Sequence, residues 1–331
     1  MSFKDIVGNE QIKKILRLSL AKGRLPNSLL FVGPPGVDKL KAAVTLAKAL
    51  NCLELTEDSC DHCDSCLRID RGQHPNVRII SREKNREQIV KEQIDEINYL
   101  SKMRPWNRGE LVFIIDEAQR MNETVANSFL KTLEEPRPFV YFILITEDLP
   151  VILPTIRSRC QVLRFKPVSQ EDIEKALVNR GLSEDKASLV AATTDGNLEL
   201  ALSLNWEEFR VSRDRAWLVF KKMVESAEAE DFLSLSAGRA KKDFLEEFKE
   251  TLAFFSVFFR DLILINQGGT GHLLNRDLGP ELETIASKVI IEKAVGGVRL
   301  IEDFLNSLKK NPNLSIISNE LVIFFREINH G

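Results

Sequence analysis

The sequence predicts an α/β domain built on a parallel sheet, followed by a small helical domain and then an all-helical one. Three observations carry this reading. Short apolar runs ending in glycine or carboxylates alternate with segments of helical periodicity up to about residue 165. The strand pattern stops after Phe165-Lys166-Pro167. Beyond about residue 206 the apolar residues recur at helical spacing, with Phe244, Leu245, Phe248, Leu252, Phe255 and Phe259 placed for one buried face.

Taken in order, Ile12, Ile15, Leu16 and Leu20 predict a helix over 9–22. Leu29-Leu30-Phe31-Val32 is a continuous apolar run closed by Gly33, as a buried parallel strand is, and a helix should follow over 39–50. Further buried strands are expected at Val77–Ile80, Leu111–Ile115 and Val140–Ile145, with helices over 87–102 and 122–134 between them. Strand–helix alternation of this kind implies a parallel sheet covered on both faces, with ligands at the carboxyl ends of its strands. Ser169 with Asp172 reads as a helix N-cap, and Ser183 with Lys186 opens a second helix ending at Gly196. The Gly/Asn-rich stretch Asn266–Asn275 is expected as a loop between long helices. The domain boundaries read as 1–166 with an excursion at 52–66, then 167–205, then 206–331.

Composition excludes several classes. Hydrophobic residues make up 44% of the chain and charged residues 29%, enough apolar material for a core without staples. Lys+Arg 46 against Asp+Glu 49 rules out a general nucleic-acid coat, so any such contact is local or shared with other subunits. The most apolar run, Leu252–Ile265, contains Arg260 and Asp261 and is too short to span a membrane. The start MSFKDIVGNE has no apolar leader, and five cysteines with Cys160 isolated make no disulfide framework, so a cytoplasmic setting is expected.

The chemistry sits in four motifs. Gly33-Pro34-Pro35-Gly36-Val37-Asp38-Lys39-Leu40 occupies the strand–helix junction where a phosphate loop of pattern G-x-x-x-x-G-K-[ST] belongs. Gly33 and Lys39 remain, but Asp38 replaces the second glycine and Leu40 the magnesium-binding hydroxyl. A carboxylate there repels a triphosphate and leucine cannot ligate a cation, so ATP binding should be lost or weak. The run Leu111–Glu117 ends in Asp116-Glu117, the positions that hold magnesium and orient the attacking water in P-loop ATPases. Their presence alone does not establish hydrolysis. Cys52, Cys60, Cys63 and Cys66 place four thiols within 15 residues, a ligand set for a closed, structural tetrahedral zinc site. Finally, Arg159 in Thr155-Ile156-Arg157-Ser158-Arg159-Cys160 lies on a short turn, where an arginine is either a surface charge or a finger reaching a neighbour's nucleotide.

Together these pieces resemble the clamp-loader branch of the AAA+ ATPases, and within it the subunits of the bacterial DNA polymerase III loader. The resemblance rests on Val7-Gly8-Asn9-Glu10, the GPPGVDK loop, the four-cysteine insert, FIIDEAQRM, KTLEEP (Lys131–Pro136), LPTIRSRC (Leu153–Cys160) and DGNLELAL (Asp195–Leu202). It implies a P-loop AAA+ sheet domain, a helical lid and a helical collar for oligomerisation, with Asn311-Pro312-Asn313-Leu314 and Glu320-Leu321 ending the collar. It makes Arg159 the trans-acting arginine and puts sensor 1 near Thr146. Glu199 stands where active members carry a sensor 2 arginine. Ser81–Arg86 takes the place of a DNA-facing turn, which makes Arg82, Asn85 and Arg86 possible DNA contacts, although a solvated charged loop accounts for them equally. The partners implied are the loader's ATPase subunits and delta subunit, the sliding clamp, and primer–template DNA through the assembled complex, with no membrane. The expected function is a non-hydrolysing scaffold that donates Arg159; the alternative is an active clamp-loader-type ATPase with an unusual loop. Polymerase chemistry is not expected in this chain.

Overall fold

The protein is described here by a computed structural model covering residues 2–54, 57–83, 86–226, 241–308 and 314–329. It divides into two compact units, Met1–Ala176 with Gly196–Leu200, and Leu177–Asp195 with Ala201–Gly331.

The first unit is built on a five-stranded sheet: β1 (Ser28–Val32), β2 (Val77–Ile80), β3 (Leu111–Ile115), β4 (Val140–Thr146) and β5 (Gln161–Arg164). The spatial order is β2-β3-β4-β1-β5 and every pairing is parallel. Helices α1 (Glu10–Ala21), α2 (Lys39–Asn51), α3 (Asp64–Asp70), α4 (Lys91–Leu100), α5 (Glu123–Glu134) and α6 (Pro154–Arg157) connect and cover it. Strands β1 and β3 are buried along their whole length because both faces carry helices. Phe142 anchors one face, stacked on Phe113 at 5.6 Å and edge-on to Phe129 at 5.1 Å.

Several expectations needed correction. Strand β2 is an edge strand in which only Val77 is buried, since no described strand pairs beyond it and Arg78 and Ile79 are exposed. The helix expected over 87–102 spans only Lys91–Leu100, because Ile89 is drawn into a bridge with Met121 and holds the chain extended. Strand β5 and helix α3 had no sequence counterpart: β5 buries only Leu163, and α3 is a short helix inside the cysteine excursion.

That excursion is tied to the sheet domain by charge. Lys48 on α2 is fully buried, with its ammonium 2.5 Å from Asp61 and 2.8 Å from Asp70. Burial alone would lower its pKa, but the hydrogen bonds to Asp61 and Asp70 outweigh that and hold it well above the ordinary lysine range. The backbone N–H of Phe3 also donates to Asp58 Oδ1 at 3.0 Å.

Around the unit boundaries, α7 (Gln170–Val178) begins at the expected cap, where the Asp172 N–H donates to Ser169 Oγ at 3.2 Å. Helix α8 (Glu184–Thr193) starts after Ser183 without a side-chain cap, and ends before Gly196. Helix α9 (Leu198–Ser203) follows.

The second unit is helical among its described residues, with α10 (Trp206–Ser226), α11 (Lys241–Asn266), α12 (Gly279–Ala286), α13 (Ile291–Leu308) and α14 (Leu314–Asn329). Its centre is aromatic: the Phe220 ring lies within 5.6 Å of those of Phe255, Phe258, Phe259 and Phe325. Helix α11 buries more than the one face its spacing suggested, since Phe254, Val257 and Phe258 are covered along with Phe248, Leu252, Phe255 and Phe259. Gly297 allows α13 to approach this cluster; a Cβ there would stand 2.6 Å from the Phe259 ring. Asn266–Asn275 is indeed a connection between helices, fastened by buried Asp261, which accepts the N–H groups of Leu274 and Asn275. Asn311, Pro312 and Asn313 lie outside the described residues. No described helix is long and apolar enough to cross a membrane.

Replacing Lys48 by methionine would remove the ammonium that Asp61 and Asp70 share. We expect a loss of about 2–3 kcal/mol in denaturant unfolding, below the roughly 3–5 of a fully buried pair because both carboxylates are partly solvated. Adding Asp61→Asn should recover part of that loss.

Candidate functional site

Parallel pairing brings three candidate segments to one end of the sheet: the loop after β1, Asp116 after β3, and Thr146 at the end of β4. The Gly33 N–H donates to the Thr146 carbonyl at 3.2 Å, which fastens the loop directly to β4. Pro35, Gly36, Asp38, Lys39, Leu40, Lys41, Asp116, Glu117, Thr146, Glu147 and Glu199 line a cavity of about 320 Å³. Most of the candidate residues read from the sequence therefore line one cavity.

Inside it, the groups are engaged with one another. Lys39 donates to the carbonyls of Gly33 at 2.7 Å and Pro34 at 2.5 Å. Burial lowers its pKa, with Glu147, Asp116 and Glu199 pulling the other way. Asp38 sits in the left-handed region at φ 60°, the conformation for which the second loop glycine is suited, and it pairs with Lys41 at 2.6 Å. Leu40 is 38% exposed and forms apolar wall where a metal-binding hydroxyl would stand.

On the opposite side, Asp116 has its pKa raised, first by burial and then by Glu117. Its Oδ1 accepts the Glu117 N–H at 3.0 Å. Glu117 is held at φ 52° and receives Arg82 Nε at 2.9 Å. Thr146 is buried and donates to the Asp148 carbonyl at 3.1 Å.

The start of α9 closes over the loop. Glu199 N–H donates to the Gly36 carbonyl at 3.3 Å, and a Cβ on Gly36 would lie 1.6 Å from Asn197 Oδ1. Glu147 and Asn197 were not found from sequence. Glu147 lies one residue past a strand end that was named, and an asparagine packed on a glycine leaves no pattern. The electrostatic consequence is direct. Asp38, Asp116, Glu117, Glu147 and Glu199 surround a space where a phosphate chain needs cations, and both lining lysines already have partners.

The four cysteines of the excursion also converge. The Sγ atoms of Cys52, Cys60, Cys63 and Cys66 all lie within 4.8 Å of one another. Four ligands at about 2.3 Å from one ion need sulfurs about 3.8 Å apart, so the set fits a metal with small adjustment. The Cys63 N–H points at Cys60 Sγ (3.3 Å) and the Cys66 N–H at Cys63 Sγ (3.5 Å), contacts that stabilise negative sulfur. The cluster is therefore capable of chelating a metal ion. His62 is outside the four-sulfur set but forms a second candidate group with Glu54 and Cys60, with its ring nitrogens bonding the Cys60 carbonyl at 2.7 Å and Glu54 at 2.8 Å.

Arg159 lies on the turn after α6. Its Nε donates to Glu134 Oε1 at 2.9 Å, and its Nη1 to the Thr155 carbonyl at 2.7 Å. Of the turn after β2, Arg82 pairs with Glu117 and Arg86 with Glu83 at 3.2 Å, while Asn85 lies outside the described residues. Cys160 belongs to the core, and burial pushes its thiol up to about 12.

Comparison with known proteins adds relatives to this geometry. The family described as DNA polymerase III, delta subunit, matches residues 8–169. The chain is 29% identical over 324 residues to DNA polymerase III subunit delta′ of Bacillus subtilis, covering 96% of each chain. It is 35% identical over 209 residues to the tau subunit of the same organism, covering 61% of this chain and 37% of that protein. It is 33% identical over 213 residues to the tau subunit of Escherichia coli, covering 61% of this chain and 32% of that one. The chain therefore spans about a third of the length of these tau proteins.

The burial differences predict a labelling order. After chelation, a thiol reagent should modify the half-buried Cys52 and Cys60 in the native protein, while the buried Cys63, Cys66 and Cys160 react on unfolding. Peptide mapping by mass spectrometry reads the order directly.

Proposed function

The chain belongs to the delta/delta′-type clamp-loader subunits of bacterial DNA polymerase III, a branch of the AAA+ proteins, and from that premise we propose that it is the loader's non-hydrolysing delta prime subunit. In this role it scaffolds the ring that loads the sliding clamp onto primed DNA, and it donates Arg159 to the nucleotide site of a neighbouring ATPase subunit. The observation that carries this reading is the charge of the cavity behind the phosphate loop, where carboxylates dominate and Lys39 and Lys41 are already engaged. A triphosphate entering there meets repulsion before it meets a cation.

Arg159 supports the second half of the reading. It is 30% exposed, so its guanidinium is accessible from outside the chain. A finger supplied in trans stabilises charge on the transferring phosphoryl group. We further propose that the metal of the cysteine cluster is zinc and structural: four sulfurs leave no open coordination position, and a closed site of this kind contributes about 10–16 kcal/mol of apparent binding free energy in small peptides. In this account residues 1–166 form the AAA+ domain with the zinc insert, 167–205 the lid, and 206–331 the collar that packs against sister subunits. The complex works in the cytoplasm. DNA contact through Arg82, Asn85 and Arg86 belongs to the assembled loader, and the pairing of Arg82 and Arg86 with glutamates weakens their pull on phosphates in the isolated chain.

The retained Asp116 and Glu117, at the end of β3 and lining the same cavity, favour one second reading, an active ATPase with an unusual loop. That reading requires magnesium-dependent ATP turnover that is lost on Lys39→Ala or Glu117→Gln.

Calorimetric titration of the purified chain with ATP·Mg²⁺ should give no binding heat; stoichiometric binding would move the case to the active-ATPase reading. In a reconstituted loader, Arg159→Ala should slow hydrolysis at the facing site by about 10³-fold or more without unfolding the chain. Elemental analysis should find one zinc per chain, removed by Cys66→Ser, with a lowered melting temperature in the variant.

A further inference from the structure

Arg159 is not a loose side chain. Both Nε and Nη2 donate to one oxygen, Oε1 of Glu134, while Nη1 donates to the Thr155 carbonyl at 2.7 Å and to Ser158 Oγ at 3.2 Å. These contacts grip the guanidinium from two sides. Glu134 is the last residue of α5, Thr155 lies in α6, and Ser158 is on the turn after α6 that carries the arginine. A guanidinium has five N–H donors, and four are directed at these acceptors, so one edge of Nη2 remains for an acceptor outside the chain.

The pair is poorly placed to serve stability. Glu134 is 47% exposed and Arg159 30% exposed, and solvent-exposed ion pairs contribute little to folding. The arrangement instead suits orientation. An arginine held in one plane arrives at a phosphate with its fork already directed, whereas a free one must first be ordered. A rigid helix end supplies the holding group, which is better than a loop for fixing a direction.

We infer that Glu134 is the positioning residue of Arg159: its carboxylate holds the guanidinium edge-on so that the remaining N–H faces the neighbouring subunit's nucleotide. This rests on the proposed role of Arg159 as a finger. Glu134 itself touches no nucleotide and acts only through the arginine. Its side-on grip needs an acceptor oxygen at this position more than it needs a charge, and that separates the possible variants.

The test is single-turnover ATP hydrolysis at the site facing Arg159 in the reconstituted loader, with the other nucleotide sites disabled by mutation. Arg159→Ala, Glu134→Ala and Glu134→Gln are compared with the parent. Glu134→Ala should lower the turnover rate by about three- to tenfold, well short of the loss on removing the guanidinium, with the half-saturating ATP concentration unchanged. Glu134→Gln keeps the side-on acceptor and should stay within about twofold of the parent. Melting temperatures of both variants should match the parent. If Arg159→Ala is severe while Glu134→Ala turns over at the parental rate, the positioning role is overturned. The same holds if both Glu134 variants run faster, since the carboxylate would then be a brake. If Arg159→Ala is itself without effect, the finger reading fails first, and the role of Glu134 falls with it.

Discussion

Parallel pairing of β1 with β4, and of β4 with β3, is the constraint on which every candidate nucleotide-binding group depends. Because all these strands run the same way, their carboxyl ends share one rim of the sheet. The phosphate loop, Asp116 and Thr146 therefore meet although they lie far apart in sequence. The Gly33–Thr146 backbone hydrogen bond is the direct mark of this, since it extends the β1–β4 ladder into the loop. The burial of β1 and β3 on both faces supplies the rigidity, and Phe113, Phe129 and Phe142 fix one helical layer onto the sheet.

Within that frame, the residues lining the cavity satisfy their polar groups internally. Lys39 caps loop carbonyls, Asp38 takes Lys41, Glu117 takes Arg82, and Glu199 and Asn197 close onto Gly36. Each contact ties up a polar group that lines the cavity. A site arranged this way needs no ligand to hold its shape. A subunit whose conformation must not follow a nucleotide cycle would have this arrangement, which is why we read the cavity together with the scaffold role. Asp38 shows the energetic direction: a non-glycine residue in a left-handed conformation carries strain, and its ion pair with Lys41 offsets part of it.

Much of this was legible in the sequence, for identifiable reasons. Strands β1, β3 and β4 are continuous apolar runs because both of their faces are covered, so no competing pattern obscures them. Strand β5 was not legible, because an edge strand that buries only Leu163 has no apolar signature. Helix α4 was overextended because its first residues have helical composition but are held extended by the Ile89–Met121 bridge, a long-range contact. The loop, Asp116, Glu117 and the cysteines were found because their chemistry imposes spacing along the chain. Lys48, Asn197 and Glu147 were not, because their roles come from tertiary neighbours: a lysine fully buried between two aspartates looks, in sequence, like any other lysine on a helix.

The same distinction explains why the motif around Arg159 says more in three dimensions than as a string. As a string, KTLEEP and TIRSRC are two separate family marks. In the fold they form one device, since the end of α5 delivers Glu134 to the turn that carries Arg159. Cys160 belongs to it as well, for its buried side chain packs into the sheet domain's core while Arg159 beside it stays partly exposed. The cavity at the strand ends and the arginine are thus in contrasting states. The cavity turns its charges on itself, while Arg159 keeps one donor edge toward solvent. In the ring proposed above, a nucleotide site is completed by the subunit next to it. A chain can therefore lose the use of its own cavity and still serve the ring through the residue it presents to a neighbour, provided that residue is held in place when the neighbour's nucleotide arrives.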